Sequence, residues 1–262
     1  MTRKIQLHQW PNVLALDAAL IAIAWQAALA ASVNVTIEWP ASAILGLSVW
    51  LTYLADRLFD VGQQAHSKFV SLRHRFAKKN KCLLWGIWWG ALVINLGLAT
   101  RLNAYQIKRG FILLAICLLY TFLNQKLSRR FFPKEICVAI IFTAGVVIFI
   151  PAHIPLSLSL ALAWLCLLNC LVIGVREKEV DAQMQVHSIA PLLVEHYLLI
   201  AAFVSAIAMA RVQSELSLTM AFCAVAMASV HFYSARLKIE NFRVLVDAIL
   251  LFGAVFALWH IR

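Results

Sequence analysis

Charged side chains are scarce in this chain. Asp, Glu, Lys and Arg make up 13% of its 262 residues, against about 25% in a typical soluble domain. Acids are the scarcer sign, 12 against 23 Lys and Arg, which leaves a net charge of +11. Apolar residues fill 63% of the sequence, well above the about 45–50% of soluble domains, and mean hydropathy is +0.83. A water-soluble globule of this length could not hide so much apolar surface. The composition excludes a soluble enzyme, a disordered chain and a secreted disulfide scaffold. It indicates a polytopic membrane protein with little soluble material.

Metal and redox signatures are missing as well. Cys82, Cys117, Cys137, Cys166, Cys170 and Cys223 lie in or at the edge of apolar runs, and none forms CxxC. Cys166 and Cys170 share a helix face, but no His stands at zinc-ligand spacing, so all six read as small apolar residues. None of the eight histidines belongs to HExxH. The basic balance comes without a nucleic-acid motif, so no nucleic-acid partner is expected. The N-terminus is short and basic at Arg3 and Lys4, and the first apolar run has spanning length, so no cleavable leader is expected.

What the sequence does contain is a series of apolar runs of spanning or near-spanning length: 13–33, 40–58, 82–100, 107–123, 135–150, 156–175, 190–210, 216–233 and 242–260. These predict nine transmembrane helices in a single domain over residues 1–262, the fifth being short. Lipid offers no water to an exposed backbone, so helices are the default, and the alternating polarity of a membrane barrel is absent. With nine spans, 18 of the 23 Lys and Arg fall on the side of the N-terminus and five on the other. That bias predicts a cytoplasmic N-terminus in a multi-pass protein of a bacterial plasma membrane. Only Glu38 and Glu215 sit on the sparse side; the other acids lie on the basic side or in helix ends that face it. Their bias predicts a polar site opening to the cytoplasmic face.

Two acidic pairs stand out. Asp56 and Asp60 close the second span and are four residues apart, so they share a helix face. Glu177 and Asp181 repeat this at the end of the sixth span. Like charges at this spacing repel, and a divalent cation compensates them well. Mg²⁺ suits carboxylates combined with water and substrate phosphate oxygens. Basic residues share the same rim: Arg57, Lys68, Arg73, Arg75, Lys126, Arg176 and Lys178. Acids that hold a metal and bases that hold phosphate oxygens are what a metal–diphosphate complex requires. A positive-inside bias also explains many of these bases, and Arg176 and Lys178 are the better candidates because they interleave with an acidic pair. Asp17 and Asp247 lie inside the first and ninth spans, where an acid is a functional candidate or the partner of a base. Asn169 lies two turns before Glu177 and either lines the cavity or bonds between helices.

These motifs resemble those of the UbiA superfamily of intramembrane prenyltransferases, which has nine helices and aspartate-rich motifs after the second and sixth. The first family motif is commonly NDxxDxxxD. Here residues 52–60 read Thr-Tyr-Leu-Ala-Asp-Arg-Leu-Phe-Asp, so Asp56 and Asp60 match and the leading Asn-Asp pair is missing. The second is commonly DxxxD followed by GxxT. Here Glu177 and Asp181 match, with Gln185 in place of Gly and Ser188 in place of Thr. The segment from Tyr120 to Lys126 is similar to the family's Tyr-Ser…Lys segment, and the stretch from Glu135 to Gly145 to its fifth helix. The resemblance implies a prenyl diphosphate bound through Mg²⁺ on Asp56, Asp60, Glu177 and Asp181, with the isoprenoid tail between helices. It also implies transfer of the prenyl group to an aromatic or other lipophilic acceptor. An apolar cavity would keep water from the carbocation, and Tyr53 or Tyr120 could stabilise it through the ring face. Two other readings stand beside it. One is a non-catalytic UbiA-like protein that binds an isoprenoid or acts as a scaffold. The other is a small transporter coupled through Asp17 and Asp247.

Overall fold

The computed structural model describes residues 5–63, 71–127, 133–178, 195–211 and 214–261. Every element among them is helical. Short α1 (Trp10–Val13) precedes α2 (Leu16–Ser32), α3 (Trp39–Gln63) and α4 (Leu72–Lys79). Then come α5 (Lys81–Ala99), α6 (Ala104–Leu127), α7 (Lys134–Ile148) and α8 (Leu156–Arg176). The chain ends with α9 (Glu195–Ala210), α10 (Glu215–Phe232) and α11 (Ile239–Ile261). Nine of these helices among the described residues have 15 residues or more, and they fall on the nine expected runs. By length and apolar composition five of them can cross a membrane, and a sixth if the bent pair Leu7–Val13 and Leu16–Ser32 counts as one span.

Helix α2 lies at the centre and packs on α3, α7 and α11, while α8 packs on α7, α9, α10 and α11. Their contact surface buries Trp25, Leu29, Leu162, Leu165, Met220 and Leu250. Ala22, Ala28, Ala224 and Ala254 are fully buried among them, because small side chains let helix backbones approach where no aqueous hydrophobic effect drives them together. One crossing is tight enough to test. A Cβ placed on Gly253 of α11 would collide with the Cys223 Sγ of α10. Gly253→Ala should therefore destabilise the fold by about 1–3 kcal/mol through overpacking. Adding Cys223→Ala, which removes the sulfur, should restore most of that loss in a thermal melt of the double variant.

The first span departs from the expected continuous helix over 13–33. It breaks at Leu14 and Ala15, and its two parts meet at 82°. Ala15 takes a left-handed conformation, φ 59°, although it is fully buried; a non-glycine residue there costs on the order of 1–3 kcal/mol. The break frees two carbonyls, and α3 satisfies both. Arg57 Nη1 donates to Val13 O at 2.6 Å, and Trp50 Nε1 donates to Leu14 O at 2.9 Å. Broken helices are tolerated inside a membrane protein only with such replacement partners.

Two further boundaries differ from expectation. The second helix runs to Gln63 rather than 58, and it is followed by α4, an unexpected short helix in what reads as a basic loop. Helix α4 packs on α1, α3 and α5, burying Leu72, His74 and Ala77 while its lysines stay in solvent. The outermost helices, α5 and α6, bury almost nothing within the chain. Their apolar residues point outward, as suits a hydrocarbon surround.

Candidate functional site

The polar residues gather where the C-terminal ends of α3 and α8 meet α4. Asp56 and Asp60 sit one turn apart on α3 and are half-buried. The charges that act most strongly on Asp56 are Asp60, Lys134, Arg73 and Arg57. Lys134 opens α7 and Arg73 lies in the first turn of α4, so three helices converge on this carboxylate.

Helix α4 joins the two acidic motifs. Its Arg73 Nη2 donates to Glu177 Oε2 at 3.0 Å, and the next residue, His74, places Nε2 3.8 Å from Asp60 Oδ2. The same Glu177 oxygen accepts from Arg243 Nη1 of α11 at 2.9 Å. With only 9% of its side chain exposed, Glu177 is a nearly buried carboxylate between two guanidinium groups. Charge-assisted bonds of this kind are short and strong.

From Arg243 the polar network turns into the bundle. Arg243 Nε lies 4.0 Å from Asp247 Oδ2. Asn12 Nδ2 donates to that oxygen at 3.4 Å and to Asp17 Oδ2 at 2.5 Å, and Asn169 Nδ2 donates to Asp247 Oδ1 at 3.4 Å. Asp17 and Asp247 are thus drawn into one interhelical network. Tyr53 of α3 lies close enough to this network for Cys170, Asp17 and Asp247 to act on it electrostatically. Asp56, Cys170, Cys137 and Glu135 act in the same way on Tyr120 of α6. Both tyrosines are half-buried. A cleft of 300 Å³ opens beside Glu177, lined by Arg73, Arg176, Lys238, Glu240 and Arg243 among others.

The remaining expected site residues are spread out. Arg57 is buried and committed to the broken first span. Arg176 donates to Leu237 O at 3.0 Å, which ties α8 to the segment before α11. Arg75 and Lys178 are exposed, and Lys126 lies over the Phe122 ring at 4.6 Å. Asp181 and Lys68 lie outside the described residues. Among the described residues, no three His, Cys, Asp or Glu side chains come together to hold a metal. Asp56 and Asp60 do suit Mg²⁺ by their chemistry, since this ion takes one or two carboxylates and fills its shell with water and phosphate oxygens. Glu177, expected as a ligand, has one oxygen shared by two arginines in this structure. Arg243 and Lys134 belong to neither acidic motif, so motif spacing does not reveal their place at the rim. Each lies in the first turns of an apolar helix on the basic side, which was the available signal.

No protein-family model matches the chain, and no curated protein matches it. Solved structures do. A UbiA homologue from Aeropyrum pernix K1 in its apo form aligns at TM-score 0.62 and 15% identity, over 93% of this chain and 98% of that one. A UbiA homologue from Archaeoglobus fulgidus, bound to DMAPP and Mg²⁺, aligns at TM-score 0.60 and 13% identity, over 94% and 99%. A digeranylgeranylglyceryl phosphate synthase studied in membranes aligns at 0.52 and 13%, over 96% and 98%. Together with the apolar helices, these alignments over nearly the whole length identify an integral membrane protein with the helical fold of the UbiA homologues.

Proposed function

We propose that this protein is a Mg²⁺-dependent prenyltransferase of the UbiA superfamily, which moves a prenyl group from a prenyl diphosphate to a lipophilic acceptor within the membrane. The observation that carries the reading is the position of α4. Through Arg73 on Glu177 and His74 beside Asp60, it ties the two acidic helix ends to one rim. The ligand named for the Archaeoglobus fulgidus homologue, DMAPP with Mg²⁺, agrees with that rim's chemistry.

In this reading Asp56 and Asp60 hold the metal, and Asp181 adds the second motif's contribution. Bound Mg²⁺ supplies Lewis-acid stabilisation of the departing diphosphate, worth several kcal/mol. Arg73 and Arg243, held by Glu177, present their guanidinium charge to the diphosphate oxygens. Lys134 adds a positive charge at the same rim, with Arg176 and Lys178 beside the second motif. Glu177 thus acts by positioning two guanidinium groups, and its own oxygens reach the metal only if those groups shift onto substrate. Tyr53 and Tyr120 border the interior where the tail and the developing cation lie. Their ring faces attract positive charge, and the surrounding apolar core excludes water. All nine long helices cross the bilayer, and the rim faces the cytoplasm of a bacterial plasma membrane, as the distribution of Lys and Arg favours.

A second reading has one observation in its favour. The double capture of Glu177 and the missing leading Asn-Asp pair leave fewer ligands for a metal, as in a UbiA-like protein that binds isoprenoids without transferring them. One experiment separates the readings. Purified protein in lipid nanodiscs is given prenyl diphosphates of increasing tail length, with Mg²⁺ or with a chelator, and diphosphate release is followed. Metal-dependent release for one tail length is the expected result. Binding without release favours the isoprenoid-binding protein, and absence of both overturns the proposal.

A further inference from the structure

A second cavity, of 780 Å³, lies at the end of the bundle opposite Asp56 and Asp60, where α6 begins and α7 ends. Its walls include Ile112 and Ile116 of α6 with Ala144 and Val147 of α7, and its mouth carries Arg109 and His153. Among the described residues, no Asp or Glu lines it. The volume falls within the usual range for small-molecule sites, roughly 300–1,000 Å³.

Two independent features point to an amphiphile of negative charge. The first is packing. None of the apolar stretch of α6 is buried within the chain, and α7 is its main partner. A groove along that seam faces hydrocarbon, where an acyl chain fills it at no cost in water exposure. The second is charge. Of the five bases that a nine-span topology puts on the side away from the acidic rim, Arg109 stands at this mouth, with no acid among the described lining residues to offset it. The Arg109 guanidinium is fixed there, lying over the Tyr105 ring at 4.6 Å and donating Nη1 to Ile148 O at 3.5 Å. Of its five N–H donors, this occupies one.

We propose that the cavity is a structural lipid site selective for an anionic phospholipid, with an acyl chain along the α6–α7 seam and its phosphate on Arg109 beside His153. The site is independent of the acidic rim and of the reaction proposed there. The bound lipid supplies α6 with packing that the chain itself does not.

The test uses purified full-length protein stripped of lipid, then exposed to phosphatidylglycerol or to phosphatidylcholine of the same acyl chains. Bound lipid is read by native mass spectrometry, and the thermal midpoint is read in parallel. The wild type should retain one phosphatidylglycerol, preferred roughly fivefold over phosphatidylcholine, the discrimination expected of one base near a lipid phosphate. Arg109→Glu should abolish that preference. Ala144→Phe, which fills the floor and leaves Arg109 in place, should lose both lipids. Inorganic phosphate alone should leave the midpoint unchanged. Equal retention of the two lipids by the wild type overturns the proposal, as does an undiminished preference for phosphatidylglycerol in folded Arg109→Glu. If that variant fails to fold, undiminished lipid in Ala144→Phe overturns it instead. A midpoint raised by phosphate alone also rejects a lipid in favour of a free anion.

Discussion

The double substitution Asp56→Asn and Asp60→Asn should reduce Mg²⁺-dependent diphosphate release by about 10²–10³-fold or more, on the scale of losing one well-placed electrostatic stabiliser. Both changes keep side-chain volume and remove the charge that attracts the metal. The fold should survive, because two like charges one turn apart repel and their removal relieves that repulsion. Loss of release with an unchanged or raised thermal midpoint is therefore the expected pattern. If both release and stability collapse, Asp56 and Asp60 are structural. Each single variant should be less severe than the double one, since the remaining carboxylate still offers a ligand.

Glu177→Gln should have the largest effect on stability. The carboxylate is nearly buried and serves two arginines whose side chains are 14% and 19% exposed. Neutralising it removes the carboxylate charge that Arg73 and Arg243 share, at 3.0 and 2.9 Å. Breaking a buried pair from one side costs about 3–5 kcal/mol, and the partial exposure of both arginines puts the expected loss toward the lower end. The signature is rescue: Glu177→Gln combined with Arg243→Met should recover part of the lost stability, because one of the two positive charges facing the amide is gone. Lack of recovery in the double variant would mean that Glu177 acts through something other than its two arginines. Glu177→Gln should also lower diphosphate release beyond its effect on the amount of folded protein.

Much of this architecture was legible in the residues, for specific reasons. An apolar run such as 156–175 can only be a buried or membrane helix, and α8 occupies Leu156–Arg176. The short fifth run is a short helix, Lys134–Ile148. The spacing of Asp56 and Asp60 places them on one helix face because helical period alone decides it. Other features left no local trace. The break at Ala15 carries none of the glycine or asparagine that usually marks a left-handed residue, and its support comes from Trp50 and Arg57, 36 and 44 residues further along. Helix α4 is hidden by its own charge, since Arg73, Arg75, Lys78 and Lys79 make the segment read as a topology-setting loop. The capture of Glu177 depends on partners 104 and 66 residues away, which no spacing rule reaches. Asp17 and Asp247, which the sequence offers either as functional acids or as partners of a base, are joined through Asn12 to the network that contains Arg243.

The most direct test concerns the metal at the acidic rim. Mn²⁺, which takes the place of Mg²⁺ at oxygen sites, can be titrated into the purified protein and its bound fraction read by electron paramagnetic resonance. The measurement is made with and without a prenyl diphosphate, and repeated on Asp56→Asn/Asp60→Asn. The expected result is Mn²⁺ binding that tightens when the diphosphate is present and disappears in the double variant. Binding that ignores the diphosphate, or survives neutralisation of both aspartates, would contradict a metal–diphosphate site where the ends of α3 and α8 meet.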